Sequence, residues 1–117
     1  RPVAFTASTK PLSPSKIRKT IDVMHDRINN NLNLELLADE AGLSTFHFLR
    51  SFKYSTGLSP YEYYTWLRIE KAKSLLRYSE LPVQDISHKI GYKSSQALAR
   101  LFQKHVGCSP NQYREKI

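Results

Sequence analysis

The 117-residue chain carries 18 Lys and Arg against 10 Asp and Glu, a formal charge of +8, with 40% apolar and 24% charged residues. Those proportions suit a folded domain and exclude a disordered, collagenous or membrane-spanning chain, since no apolar run approaches the roughly 20 residues of a bilayer crossing. The single cysteine, Cys108, makes no internal disulfide, and the positive surplus points to a polyanion, most often nucleic acid.

Residues 1–12, with Pro2, Ser8, Thr9 and Pro11, lack periodicity and read as a linker or terminal arm, and the start at Arg1 rather than Met suggests a fragment of a longer protein. Ser13 and Pro14 then form an N-cap and first-turn pair, after which Ile17, Ile21, Met24 and Ile28 predict a helix that Asn29, Asn30 and Asn31 end. Asn33 can cap a second helix with Leu34, Leu37, Ala38 and Ala41 on one face, and Gly42 supplies its stop. Sustained period-2 alternation is absent, so the expected fold class is all-α, with about seven helices.

An internal repeat organises the remainder. Shifting Ser44–Tyr63 by 50 positions superposes Ser44 on Ser94, Arg50 on Arg100, Phe52 on Phe102, Gly57 on Gly107, Ser59 on Ser109, Pro60 on Pro110 and Tyr63 on Tyr113. Each copy has a short amphipathic helix ending at glycine, a turn, and a serine-capped second helix whose buried stripe is Phe48, Ser51 and Phe52, or Leu98, Leu101 and Phe102. That is the helix-turn-helix plan. A Ser-Pro capping box follows in both copies, with Glu62 or Gln112 three residues past the serine. The expected division is an arm at 1–12, a helix-turn-helix subdomain at 13–58, a linking helix at 59–77 with Trp66, Ile69, Ala72 and Leu76 on one face, and a second subdomain at 78–117.

The outward face of the first repeated helix carries Phe46, Leu49, Arg50 and Lys53, and that of the second Gln96, Ala99, Arg100 and Gln103. Arg and Gln suit bidentate readout of guanine and adenine, and apolar groups can meet the thymine methyl. An outward Arg or Gln is also an ordinary solvated residue, and Phe46 and Leu49 either pack on the linking helix or touch bases. Ser44, Thr45, Ser94 and Ser95 stand at helix starts, where unpaired N–H groups favour an anion, although capping alone also explains them. Ser109 repeats that geometry, and Lys53, Lys104, Arg68 and Arg114 are the candidate Coulombic phosphate contacts.

The stretches Gly42-Leu43-Ser44, Arg50-Ser51-Phe52-Lys53, Gly57-Leu58-Ser59-Pro60, Ile90-Gly91-Tyr92, Arg100-Leu101-Phe102, Gly107-Cys108-Ser109-Pro110 and Tyr113-Arg114 resemble the DNA-binding domain of the AraC/XylS transcriptional regulators over about residues 14–117. The resemblance implies sequence-specific binding of double-stranded DNA, with two homeodomain-like helix-turn-helix subdomains placing recognition helices in successive major grooves. It implies that Phe46, Leu49, Arg50, Ser95, Gln96, Ala99 and Arg100 face base edges. It also implies contact with RNA polymerase, an effector-binding or dimerisation domain elsewhere in the parent, often N-terminal, and a cytoplasmic, nucleoid-associated location. Two departures stand out: Leu98 replaces a common aromatic, and Gln103 replaces the usual Lys, so the second unit is expected to hold its phosphates less tightly.

His25, His47, His88 and His105 are dispersed, with no HExxH pair, CxxC, phosphate-cradling glycine loop or GxSxG elbow, so neither catalysis nor a metal or cofactor is expected. The alternative reading is a basic helical protein-interaction or nonspecific nucleic-acid-binding module that exposes Phe46 and Leu49.

Overall fold

The structure, a computed structural model, describes residues 10–116; residues 1–9 of the expected arm lie outside them. Seven helices occupy the described residues, with no strand among them: α1 (Pro14–Asp26), α2 (Leu34–Ala41), α3 (Thr45–Thr56), α4 (Pro60–Tyr78), α5 (Val83–Lys89), α6 (Ser95–His105) and α7 (Pro110–Lys116). They form two compact units, one from the described residues through Arg27 with Leu32–Tyr64, the other from Ile28–Asn31 with the chain from Thr65 onward. The expected link at 59–77 is therefore shared between the units: Pro60–Tyr64 of α4 belongs to the first and its remainder to the second.

In the first unit, Ser13 caps α1 by accepting the Lys16 N–H at 3.3 Å, with Pro14 in the first turn. Met24 and Thr20 are fully buried, and the Thr20 hydroxyl donates to the Ile17 carbonyl at 2.9 Å, so that buried hydroxyl is satisfied. Two boundary expectations are corrected. Leu12 is not part of a free arm: it is buried, and its N–H donates to Ser55 Oγ at 2.8 Å, because an apolar residue just before an N-cap folds back onto its helix's neighbours. Helix α1 also ends at Asp26, before the asparagine run, and Ile28 belongs to the second unit.

Asn33 Oδ1 accepts the Leu36 N–H at 3.0 Å and starts α2, as its sequence position predicts. Gly42, at φ 72°, ends it through bonds from the Gly42 N–H to the Asp39 carbonyl and from the Leu43 N–H to the Ala38 carbonyl, both 3.0 Å. Helix α3 buries Phe48, Ser51 and Phe52, the predicted stripe, and the Phe52 ring meets Tyr63 edge-on with centroids 5.5 Å apart.

The second unit repeats these devices. The Gly91 N–H bonds the His88 carbonyl and the Tyr92 N–H bonds the Ser87 carbonyl, closing α5 as Gly42 and Leu43 close α2. Phe102 meets Tyr113 edge-on at 5.7 Å, the counterpart of Phe52 on Tyr63. Both capping boxes form: Ser59 and Glu62 exchange bonds of 2.9 and 3.1 Å, and Ser109 and Gln112 do the same at the same lengths. The core joins Ile69, Ala72, Leu76, Ile86, Ile90, Leu98 and Phe102. Each large side chain so buried contributes about 1.5–3 kcal/mol. Leu98 fills its place with no exposure, so the apolar contact expected there is kept.

Trp66 departs from expectation. Placed with Ile69, Ala72 and Leu76 on one buried face, it is instead 47% exposed. At about 100° per residue it lies about 90° from the mean direction of those three, at the margin of the buried arc.

Candidate nucleic-acid interface

The helix pair α2–α3 in one unit and α5–α6 in the other are the two helix-turn-helix elements, and α3 and α6 carry the candidate readers. Because Phe48, Ser51 and Phe52 anchor α3 inward, the helical period turns Phe46, Leu49, Arg50 and Lys53 the other way. Phe46 is 58% exposed, Leu49 and Arg50 are half-buried, and Lys53 is exposed. The Arg50 guanidinium carbon stands 5.1 Å from the Phe46 ring centroid, so these two candidates form one stacked pair. On α6, anchored by Leu98 and Phe102, Gln96 and Arg100 are exposed and Ala99 and Ser95 half-buried. Ala99 keeps the middle of that face low, which permits close approach of the helix to a groove floor.

The helix starts are capped as predicted. Ser44 Oγ accepts the His47 N–H at 3.3 Å and lies 2.8 Å from His47 Nδ1, and Ser94 Oγ accepts the Ala97 N–H at 3.2 Å. Each cap uses a lone pair of the serine oxygen, and beside it stand the main-chain N–H groups of Thr45 and Phe46, and of Ser95 and Gln96, which by position have no carbonyl one turn back. His47 escaped the sequence reading, although its spacing of three from the cap was a legible signal. Ser109 Oγ likewise accepts a cap N–H, that of Gln112. Lys104 is exposed in the last turn of α6.

Two of the expected phosphate cations have main-chain partners within the fold. Arg68 donates from Nε to the Ile28 carbonyl at 3.0 Å and from Nη2 to the Asn30 carbonyl at 2.6 Å, with its guanidinium 5.1 Å over the Tyr92 ring. Arg114 donates from Nε to the Leu76 carbonyl at 3.1 Å and from Nη2 to the Ser79 carbonyl at 3.2 Å, capping the C-terminal end of α4. The physical reason is common to both: a guanidinium fork satisfies orphan carbonyls that have no N–H partner. Gln103 donates its amide to the Gly107 carbonyl at 3.2 Å and so stabilises the end of α6.

Elsewhere, the capping box holds the Glu62 carboxyl below its ordinary range, chiefly through the hydrogen bond from the Ser59 N–H. Among the described residues no helix is long and apolar enough to cross a membrane.

The helix-turn-helix domain pattern matches residues 37–116. The chain belongs to the AraC-type helix-turn-helix family. It is 37% identical over 94 residues to the MmsAB operon regulatory protein of Pseudomonas aeruginosa, covering 80% of this chain and 31% of that protein. The chain spans about a third of the length of the curated relatives it matches. Among solved structures it resembles the C-terminal domain of AraT, a response regulator from Geobacillus stearothermophilus, with a TM-score of 0.80, 32% identity, and coverage of 92% of this chain and 89% of that one. It also resembles the DNA-binding domain of AdpA, a global transcriptional factor solved in complex with a target DNA, with a TM-score of 0.77, 27% identity, and coverage of 86% and 91%.

Proposed function

We propose that this chain is the sequence-specific DNA-binding domain of a bacterial transcriptional regulator, acting on double-stranded DNA in the cytoplasm. The observation that carries this reading is the duplicated presentation of arginine: Arg50 and Arg100, 50 residues apart, project from the outward face of the second helix of the same capped motif. Each sits among side chains with base-reading chemistry, Phe46 and Leu49 in one unit and Ser95, Gln96 and Ala99 in the other. AdpA, the relative whose structure holds DNA, supports the same ligand.

In this mechanism, Lys53, Lys104 and the N-terminal amides of α3 and α6 bind phosphate and fix the register, and the outward faces of the two helices read base edges in successive major grooves. Arg68 and Arg114 are not assigned to phosphate. Contact with RNA polymerase, and coupling to an effector-binding or dimerisation domain, join the reading through the family likeness alone.

The test is the double variant Arg50→Ala plus Arg100→Ala. Specific binding is lost while circular dichroism stays that of the folded protein, and weak salt-sensitive binding persists. Undiminished binding to DNA, or to a protein or anionic vesicle, with both arginines gone would favour the interaction-module reading.

A further inference from the structure

The two readers differ in kind. Aligned through the repeat, Phe46 corresponds to Gln96, Leu49 to Ala99 and Arg50 to Arg100. Gln96 can donate and accept hydrogen bonds, whereas the Phe46 ring, 58% exposed, can do neither. The apolar group that a base pair presents in the major groove is the C5 methyl of thymine, and 5-methylcytosine bears the same group at the same position. Phe46 lies in the first turn of α3, the end of a recognition helix that meets base edges. Its ring is held by the Arg50 guanidinium, whose carbon lies 5.1 Å from the centroid. That separation falls between one and two base-pair steps of about 3.4 Å.

We propose that the first unit reads a 5-methylpyrimidine beside a guanine, with Phe46 against the C5 methyl and Arg50 on guanine O6 and N7. The methyl itself is then a determinant of affinity, so cytosine methylation at that step strengthens binding. The second unit reads its half-site mainly through the hydrogen bonds of Gln96 and Arg100. This inference rests on the DNA-binding reading, and the experiment separates the two.

On the best site recovered from a random duplex pool, each thymine is replaced in turn by deoxyuridine, which removes only the methyl, and Kd is measured for the wild type, Phe46→Ala and Phe46→Leu. The wild type loses roughly three- to fourfold at one or two positions in one half-site, the effect of exposing one methylene-sized group. Phe46→Ala is insensitive at those positions, and Phe46→Leu keeps part of the effect. At the same step, a 5-methylcytosine·guanine pair binds the wild type more tightly than a cytosine·guanine pair by a similar factor. Specific binding with no deoxyuridine effect, or an equal effect in the wild type and Phe46→Ala, overturns the inference and leaves the DNA reading standing. Failure to recover any site overturns both.

Discussion

Gly91 is the position where the repeat's turn meets a second constraint. Its φ of 93° is in the left-handed region, and a Cβ built there would lie 2.6 Å from Arg68 Nη2 and 3.1 Å from the Asn29 carbonyl carbon. Gly42, at φ 72°, shares the conformation, but its Cβ would meet only the flexible Lys16 Nζ at 3.9 Å. Gly42→Ala therefore carries the left-handed backbone cost alone, about 1–2 kcal/mol. Gly91→Ala carries that cost and also displaces the guanidinium that bonds the Ile28 and Asn30 carbonyls and stacks on Tyr92. Losing one such charge-assisted bond at a half-exposed site adds about 1.5 kcal/mol, the low end of its range. The expected loss is about 2.5–3.5 kcal/mol. Urea unfolding followed by far-UV circular dichroism measures both variants, and the fluorescence of Trp66, the chain's single tryptophan, reports the second unit. In an Arg68→Ala background the cost of Gly91→Ala falls toward that of Gly42→Ala, with the Asn29 contact as the residue. An unchanged cost in that background would refute the argument, because Arg68 would then not be what excludes the side chain.

Arg100→Ala is expected to reduce specific affinity by about 1–3 kcal/mol and to relax preference at one or two base pairs; a uniform loss across sequences in a binding array would demote Arg100 to a phosphate contact. Arg114→Ala should lower stability without altering the slope of log affinity against log salt, whereas Lys104→Ala should reduce that slope by about 0.9; the reverse pattern in salt titrations would contradict the assignment of Arg114 to the end of α4. Because the folded Glu62 carboxyl titrates below its unfolded value, its contribution is present above the ordinary glutamate range, about 4.3, and fades as pH falls through the depressed folded value. Glu62→Gln keeps the reciprocal box, as Gln112 does in the second unit, and should flatten part of the acid limb in melts between neutral and acidic pH; an unaltered acid limb would contradict this.

Much of the fold was legible because its determinants are local. Ser13, Asn33, Ser44 and Ser94 cap helices within three residues of themselves, and both Ser-Pro boxes close over the same distance. The buried stripe of α3 follows from its period, and the helix-ending glycines from their spacing. What escaped is non-local or marginal. Arg68 and Arg114 find carbonyls about 40 residues away in sequence, a pairing that no window along the chain contains. Trp66 sits at the edge of an arc where spacing alone does not decide burial, and α1 stops before the asparagines although Ile28 continues its period. Within the candidate interface, the outward placement of Phe46, Lys53, Gln96 and Arg100 was readable from the helical period. The stacking of Arg50 on Phe46 and the engagement of Ser44 with His47 depend on side-chain conformations that the helical period does not specify.

The central claim is that both units read sequence, and selection from a random double-stranded DNA pool at near-physiological salt tests it most directly. The expected result is enrichment of an asymmetric motif in two parts, one altered by changes at Phe46 and Arg50 and the other by changes at Gln96 and Arg100. A pool that gains no sequence, with binding that merely fades as salt rises, would contradict it.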